Sequence, residues 1–192
     1  MRFKFLAAAA GLAIATAACD NRAADTADDN LANADVGADP NAMANDMAMA
    51  PAGAADFVNS AAGSDLYEIE AGKLAADKAT DAEIKSFGQM LVTDHQKSSA
   101  ELKAAAAQAE PAITPPTAVP PDMQAKLDAL KAASGADFDR LFVEQQVEVH
   151  GKALDLLNSY ASGGDSQPLK DFAAKTAPVI KAHLEKAQSL KK

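Results

Sequence analysis

The sequence predicts an all-α four-helix bundle with one long crossover. Three observations predict it. From residue 55 onward Ala, Leu, Lys, Glu and Gln dominate, all strong helix formers. Apolar residues recur at helical spacing through four long stretches. Strand-like alternation of apolar and polar residues is absent.

The first helix is expected over about residues 55 to 78. Phe57, Ala61, Asp65, Glu68 and Gly72 share one side of it, with Val58, Ala62 and Ile69 beside them. Thr80 or Asp81 is placed to cap the second, which should run to about residue 109. Its stripe is Ile84, Phe87, Leu91, His95, Ser98 and Leu102. The stretch EPAITPPTAVPP then forbids helix, because proline lacks the amide donor and clashes with the preceding turn. Asp122 is expected to cap a short helix over 122 to 133, closed by Ser134-Gly135. A third long helix is expected from about 137 to 161. Phe138, Leu141, Phe142, Val149, Leu156 and Tyr160 line one side of it; Val143, Val147, His150, Leu154 and Leu157 line the adjoining one. SGGDSQP turns the chain into a last helix, from about 166 to 190, with Phe172, Val179, His183, Ala187 and Leu190 inward and Pro178 expected to kink it. The outer connections are short. The middle one is some 27 residues long and carries its own helix. That is the pattern of ferritin-like bundles, whose crossover lets the second and third long helices run parallel.

The N-terminal third has a different character. Arg2 and Lys4 precede a short apolar run that ends at Cys19, the marks of a secretory leader over residues 1–18. The run is too short for a membrane span, which takes about 20 apolar residues. Cys19 is the only cysteine, so no intrachain disulfide is possible. Thr16-Ala17-Ala18-Cys19 resembles a bacterial lipobox, with Thr16 in place of the usual Leu or Val. It predicts lipidation of Cys19; the alternative is an ordinary leader that leaves a free thiol. Residues 19–54 are nearly all Ala, Asp, Asn, Met, Pro and Gly, with seven Asp against Arg22 alone. Such a segment cannot bury enough surface to offset its ordering entropy, and reads as a flexible tether. Met43, Met47 and Met49 offer thioethers that suit Cu(I), but low-complexity filler accounts for them as well.

The domain over 55–192 holds 15 basic and 20 acidic side chains, a net of −5. That argues against nucleic acid, which asks for a basic face, and against docking of the folded part on an anionic membrane. The expected partner is the membrane, through lipidated Cys19. There is no phosphate loop, and no cysteine in the domain to serve as a nucleophile. Gly72, Gly88 and Gly151 fall inside helices, where each costs about 1 kcal/mol relative to Ala. Close helix approach, or an inward side chain needing space, would account for them. Tyr67 and Tyr160 are expected to pack with their hydroxyls at the surface.

The chain has three histidines, one on each of the last three long helices, each on or beside an apolar stripe. The first helix offers Glu68 on its inward side. One carboxylate and three imidazoles in one bundle core suit a divalent transition metal: zinc, copper or iron. The Glu-x-x-His pattern of di-iron bundles is missing, since Val92, Val147 and Ile180 stand three residues before the histidines. A straight hairpin would leave His150 and His183 about 9 Å apart along the axis, at 1.5 Å per residue. The alternative for each histidine is a core-edge position, bonded to a nearby carboxylate or carbonyl; Asp94, Gln146 and Glu148 are available by sequence.

FVNSAAGSDLYEIEAGKLAADKATDAEIKSFGQMLVTDH, FDRLFVEQQVEVHGKAL and FAAKTAPVIKAHLEKAQSL resemble the bacterial domain of unknown function 4142 over about residues 56 to 190. The resemblance implies a ferritin-like fold, often carried on envelope lipoproteins. Asp94-His95, His150 after Phe138-Asp139, and Pro178 to His183 match recurrent motifs of that family, and Glu68-Ile69 matches its carboxylate position. It therefore implies a shared polar or metal-binding centre of Glu68, His95, His150 and His183, and supplies no reaction. Three functions stay open: an envelope lipoprotein whose periplasm-facing bundle binds a transition metal or small ligand without turnover, a structural or envelope-stress protein with packed, non-ligating histidines, and a redox enzyme with an atypical site.

Overall fold

The computed structural model describes residues 53–191. The expected leader over 1–18, the lipidated Cys19 and Met43, Met47 and Met49 lie outside the described residues, as does nearly all of the tether. The described residues form five helices and no strand: α1 (Ala54–Lys78), α2 (Ala82–Ala106), α3 (Pro121–Ala132), α4 (Gly135–Gly163) and α5 (Gln167–Ser189). Asp81 caps α2, its side chain accepting the Glu83 N–H at 2.7 Å. Asp122 does not cap α3. Pro120 holds that position and Pro121 opens the helix, where its missing N–H would have no partner anyway; Asp122 sits in the first turn. α5 is helical through Pro178.

Polar contacts fix the helix directions. The Ala54 N–H donates to Asp165 Oδ2 at 3.3 Å, which sets the start of α1 at the α4–α5 turn. The N–H groups of Thr80 and Asp81 donate to Asp139 at 3.0 and 3.1 Å, which sets the α1–α2 turn at the start of α4. α1 is therefore antiparallel to both α2 and α4, and the parallel arrangement of α2 and α4 follows. The crossover brings α3 against α1 and α4, where Lys78 Nζ donates to the Leu130 carbonyl at 3.1 Å and Gln145 Nε2 to that of Lys126 at 3.3 Å.

α1 and α2 meet backbone to backbone. A Cβ on Gly72 would stand 2.6 Å from the Gly88 carbonyl oxygen, and one on Gly88 2.7 Å from that of Gly72. Gly151 is different: a Cβ there would meet nothing within 4 Å.

The core is two apolar clusters with a polar layer between them. One, around Phe87, Leu91, Phe138 and Phe142, lies toward the α1–α2 turn. The other, around Phe57, Leu102, Tyr160 and Phe172, lies toward the α4–α5 turn, with Phe57 stacked on Tyr160 at 4.0 Å between ring centroids. Both tyrosines are fully buried, contrary to the expectation of surface hydroxyls. Tyr67 Oη donates to Gln145 Oε1 at 2.8 Å and Tyr160 Oη to Asp165 Oδ1 at 2.7 Å, so each hydroxyl is satisfied inside the fold. Val179 also departs from expectation. It is 43% exposed, because the buried row of α5 includes Leu169, Ala173, Thr176, Ile180, His183 and Ala187, and Val179 is one residue out of step with it.

Candidate metal centre

The polar layer is built from four helices. Glu68 of α1, His95 of α2, His150 of α4 and His183 of α5 are each 1–2% exposed. The imidazole centroids are 5.7 Å apart for His95–His150, 5.5 Å for His95–His183 and 5.3 Å for His150–His183. The axial gap expected between His150 and His183 is narrowed. α4 runs on to Gly163, two residues further than the sequence suggested, which moves the turn and cuts the axial offset to about 4.5 Å by the same rule.

Each imidazole is held by one nitrogen and leaves the other bare. His95 Nδ1 meets Asp65 Oδ1 at 2.7 Å, His183 Nε2 meets Asp94 Oδ2 at 3.0 Å, and His150 Nδ1 meets the Gln146 carbonyl oxygen at 3.0 Å. A carbonyl or carboxylate only accepts, so these nitrogens carry the hydrogen. In the neutral ring the lone pair then lies on His95 Nε2, His150 Nε2 and His183 Nδ1. Those three atoms are buried without a hydrogen-bond partner. One ring nitrogen from each histidine lies within 4.8 Å of the others. Three nitrogens on one ion at about 2.0–2.1 Å each stand about 3.3–3.6 Å apart, so a contraction of at most about 1.5 Å closes the set around an ion. Orienting bonds of this kind fix tautomer and ring angle in metal sites.

Glu68 joins the same layer. His150 Nδ1 lies 3.7 Å from its Oε1, and both carboxylate oxygens are buried without a hydrogen bond. Leaving such groups unmet costs about 1–3 kcal/mol each, more for a charged one. The donor set therefore fits a cation.

The electrostatics agree. Burial raises the Glu68 carboxyl to about 7, with the charge of Asp65 adding to the rise and that of His95 opposing it. Burial, aided by the charges of His95 and His183, drops His150 to about 3. His183 is lowered by burial and His95, against the pull of Asp94. At His95 burial again opposes the charged form, but the bond to Asp65 and the charges of Glu68, Asp65 and Asp94 outweigh it and raise the imidazole.

Of the partners available by sequence, Asp94 bonds His183 rather than its neighbour His95, and Gln146 serves His150 through its backbone. Glu148 is at the surface, paired with Lys126 and Lys152 at 2.7 Å each. Asp65 is the residue the sequence reading missed. It bonds His95, and Ser99 Oγ donates to its other oxygen at 3.3 Å. The signal was its place three residues before Glu68, on the same helix face.

Residues 38–190 match the family described as Domain of unknown function (DUF4142). No curated protein sequence matches the chain at a significant level. Solved structures of CopM in the Cu(I)-bound and Cu(II)-bound forms are similar to it. They are 17% and 18% identical, cover 72% and 73% of this chain and 94% and 96% of that one, and give a TM-score of 0.59 in both cases. At this identity the likeness shows the fold.

Proposed function

The chain belongs to the DUF4142 family, and on that premise we propose that its bundle is a metal-binding module of the bacterial envelope. It holds a transition-metal ion, with copper the first candidate, on His95, His150 and His183 beside Glu68. The observation that carries this is the set of three inward ring nitrogens, buried and unpartnered, each ring fixed by a bond on its far side. Packed, non-ligating histidines would have no reason to leave three lone pairs facing one another. Imidazole donors suit copper, zinc and iron alike; the copper-bound CopM structures, similar in fold, favour copper. Glu68 supplies negative charge where the cation sits. The leader-like N-terminus and the lipobox-like residues before Cys19 support an acyl-anchored, periplasm-facing location.

The test is titration of the untagged, chelator-stripped domain with Cu(I), Cu(II) and Zn(II), repeated on His95→Ala, His150→Ala and His183→Ala. The wild type should bind at least one ion tighter than micromolar, and each variant should lose about 10–100-fold or more. Wild-type affinity no better than millimolar, or a loss confined to one variant, would reduce the histidines to packing.

A further inference from the structure

We infer that the metal reaches the centre through the seam between α2 and α5, along Met90 and Asp94 to His183. This rests on the metal-binding reading above. The ligating nitrogens are sealed in the core, so an ion needs a route, and the faces of the bundle differ in what closes them. The α1–α2 face is shut by the direct backbone approach of Gly72 and Gly88. Polar bonds clip the α2–α5 face: Lys186 to Glu83 at 2.7 Å at one end, Lys175 to Glu101 at 2.9 Å at the other, and Asp94 to His183 at 3.0 Å between them. Exposed ion pairs hold a seam weakly, at about 0–1 kcal/mol each. Pro178 lies on this face and removes one rung of the α5 ladder, which lowers the cost of local opening.

The seam also carries the surface features a route needs. A groove lined by Phe87, Met90, Asp94, Pro178, Val179 and His183 runs along it. Met90 and Val179, 39% and 43% exposed, are the only large apolar side chains so exposed among the described residues, and both line it. The Asp94 side chain is 38% exposed while the His183 side chain bonded to it is 3% exposed, so this one bond spans surface and core. A cation arriving at the Asp94 carboxylate exchanges water for oxygen ligands, breaks the hydrogen bond that His183 Nε2–H donates to it, and lies one side chain from the inner nitrogens. Met90, one turn before Asp94, adds a thioether donor suited to Cu(I).

The other way in is less favourable. A cavity of about 150 Å³ reaches Asp65 and His95 beneath α3, but Val149, Leu156, Leu157, Phe172 and Ile180 wall it. Lys126 and Lys152 also line it, both paired with Glu148. An ion there would be stripped of water against apolar walls.

Stopped-flow transfer of Cu(I) from a coloured chelator to the full mature chain, and back, tests the route. Val179→Trp, at an exposed position that tolerates the bulk, fills the groove. It should slow uptake and release alike by about tenfold and leave the equilibrium affinity within about threefold. Met90→Leu should slow Cu(I) uptake but not Zn(II) uptake. Leu156→Trp, which fills the cavity under α3, should change neither rate. Unchanged rates in Val179→Trp, or slowing in Leu156→Trp alone, with binding intact, would overturn the route and leave the metal-binding reading standing. A wild type that binds no ion would overturn both.

Discussion

Protonation divides the three imidazoles unequally, and the division sets how metal binding responds to pH. His150, held at about 3, and the lowered His183 keep their lone pairs well below neutrality. His95 is raised, and Glu68 sits at about 7. A proton on His95 Nε2 removes one ligand, and a proton on Glu68 removes the charge beside it. Metal binds the deprotonated forms, so binding releases protons and weakens as pH falls. The window follows from the raised groups: it opens near pH 7 and above, not at the ordinary histidine value of about 6.5. Each displaced proton is worth up to about tenfold in affinity per pH unit, so calorimetry should show a loss of roughly 10–100-fold between pH 8 and pH 6. Asp65→Asn removes the main cause of the His95 rise, and should move the onset lower while weakening binding about 10–100-fold. An affinity flat across that range would disprove the assignment. The three histidines and Glu68 were legible in the sequence as inward residues, because each lies on or beside an apolar stripe, one per long helix. Asp65 was not, because a carboxylate on an inward face reads equally as a rim residue until its partner on another helix is known.

At the scale of helices, the chain legibly gave five elements and a crossover, through period and proline placement. Register was less legible. Val179 read as inward because apolar type alone decided it, yet the α5 row fixed by Ile180 and His183 turns it to solvent. The His150–His183 offset was misjudged for a related reason: composition does not show how far a helix end runs into SGG. Glycine gives a test at this scale. The four mid-helix glycines carry the same intrinsic cost, but only Gly63, against Pro120, and Gly72 and Gly88, against each other, have a packing reason. Gly151→Ala meets open space and should stabilise the domain by about 0.5–1 kcal/mol in urea unfolding. Gly72→Ala drives a methyl to within 2.6 Å of the Gly88 carbonyl oxygen and should destabilise it by about 1–3 kcal/mol as α1 and α2 part. Effects of the same sign at both positions would mean that the α1–α2 contact is not what selects glycine.

For the whole molecule, the question is where the bundle works, and the chain outside residues 53–191 bears on it. The proposed centre has a modest reach: an ion must come to the α2–α5 face. On the proposed anchoring, a flexible segment of roughly 35 residues would have a root-mean-square reach of about 30–35 Å, at 5–6 Å times the square root of its length. Seven Asp and no Glu over 20–54, against Arg22 alone, give this stretch a net charge of −6, which opposes its binding to anionic lipid. The proposed attachment is through acyl chains on Cys19, each buried methylene giving about 0.8 kcal/mol, with more than one chain needed for stable anchoring. Mass spectrometry of the N-terminal peptide from the native membrane fraction should find Cys19 as the first residue, carrying acyl chains. Cys19→Ser should shift the protein to the soluble envelope fraction, with metal affinity unchanged, because the centre lies wholly within the bundle. An unmodified thiol at Cys19, or a Cys19→Ser protein that stays with the membrane, would mean that something other than lipid holds the domain there.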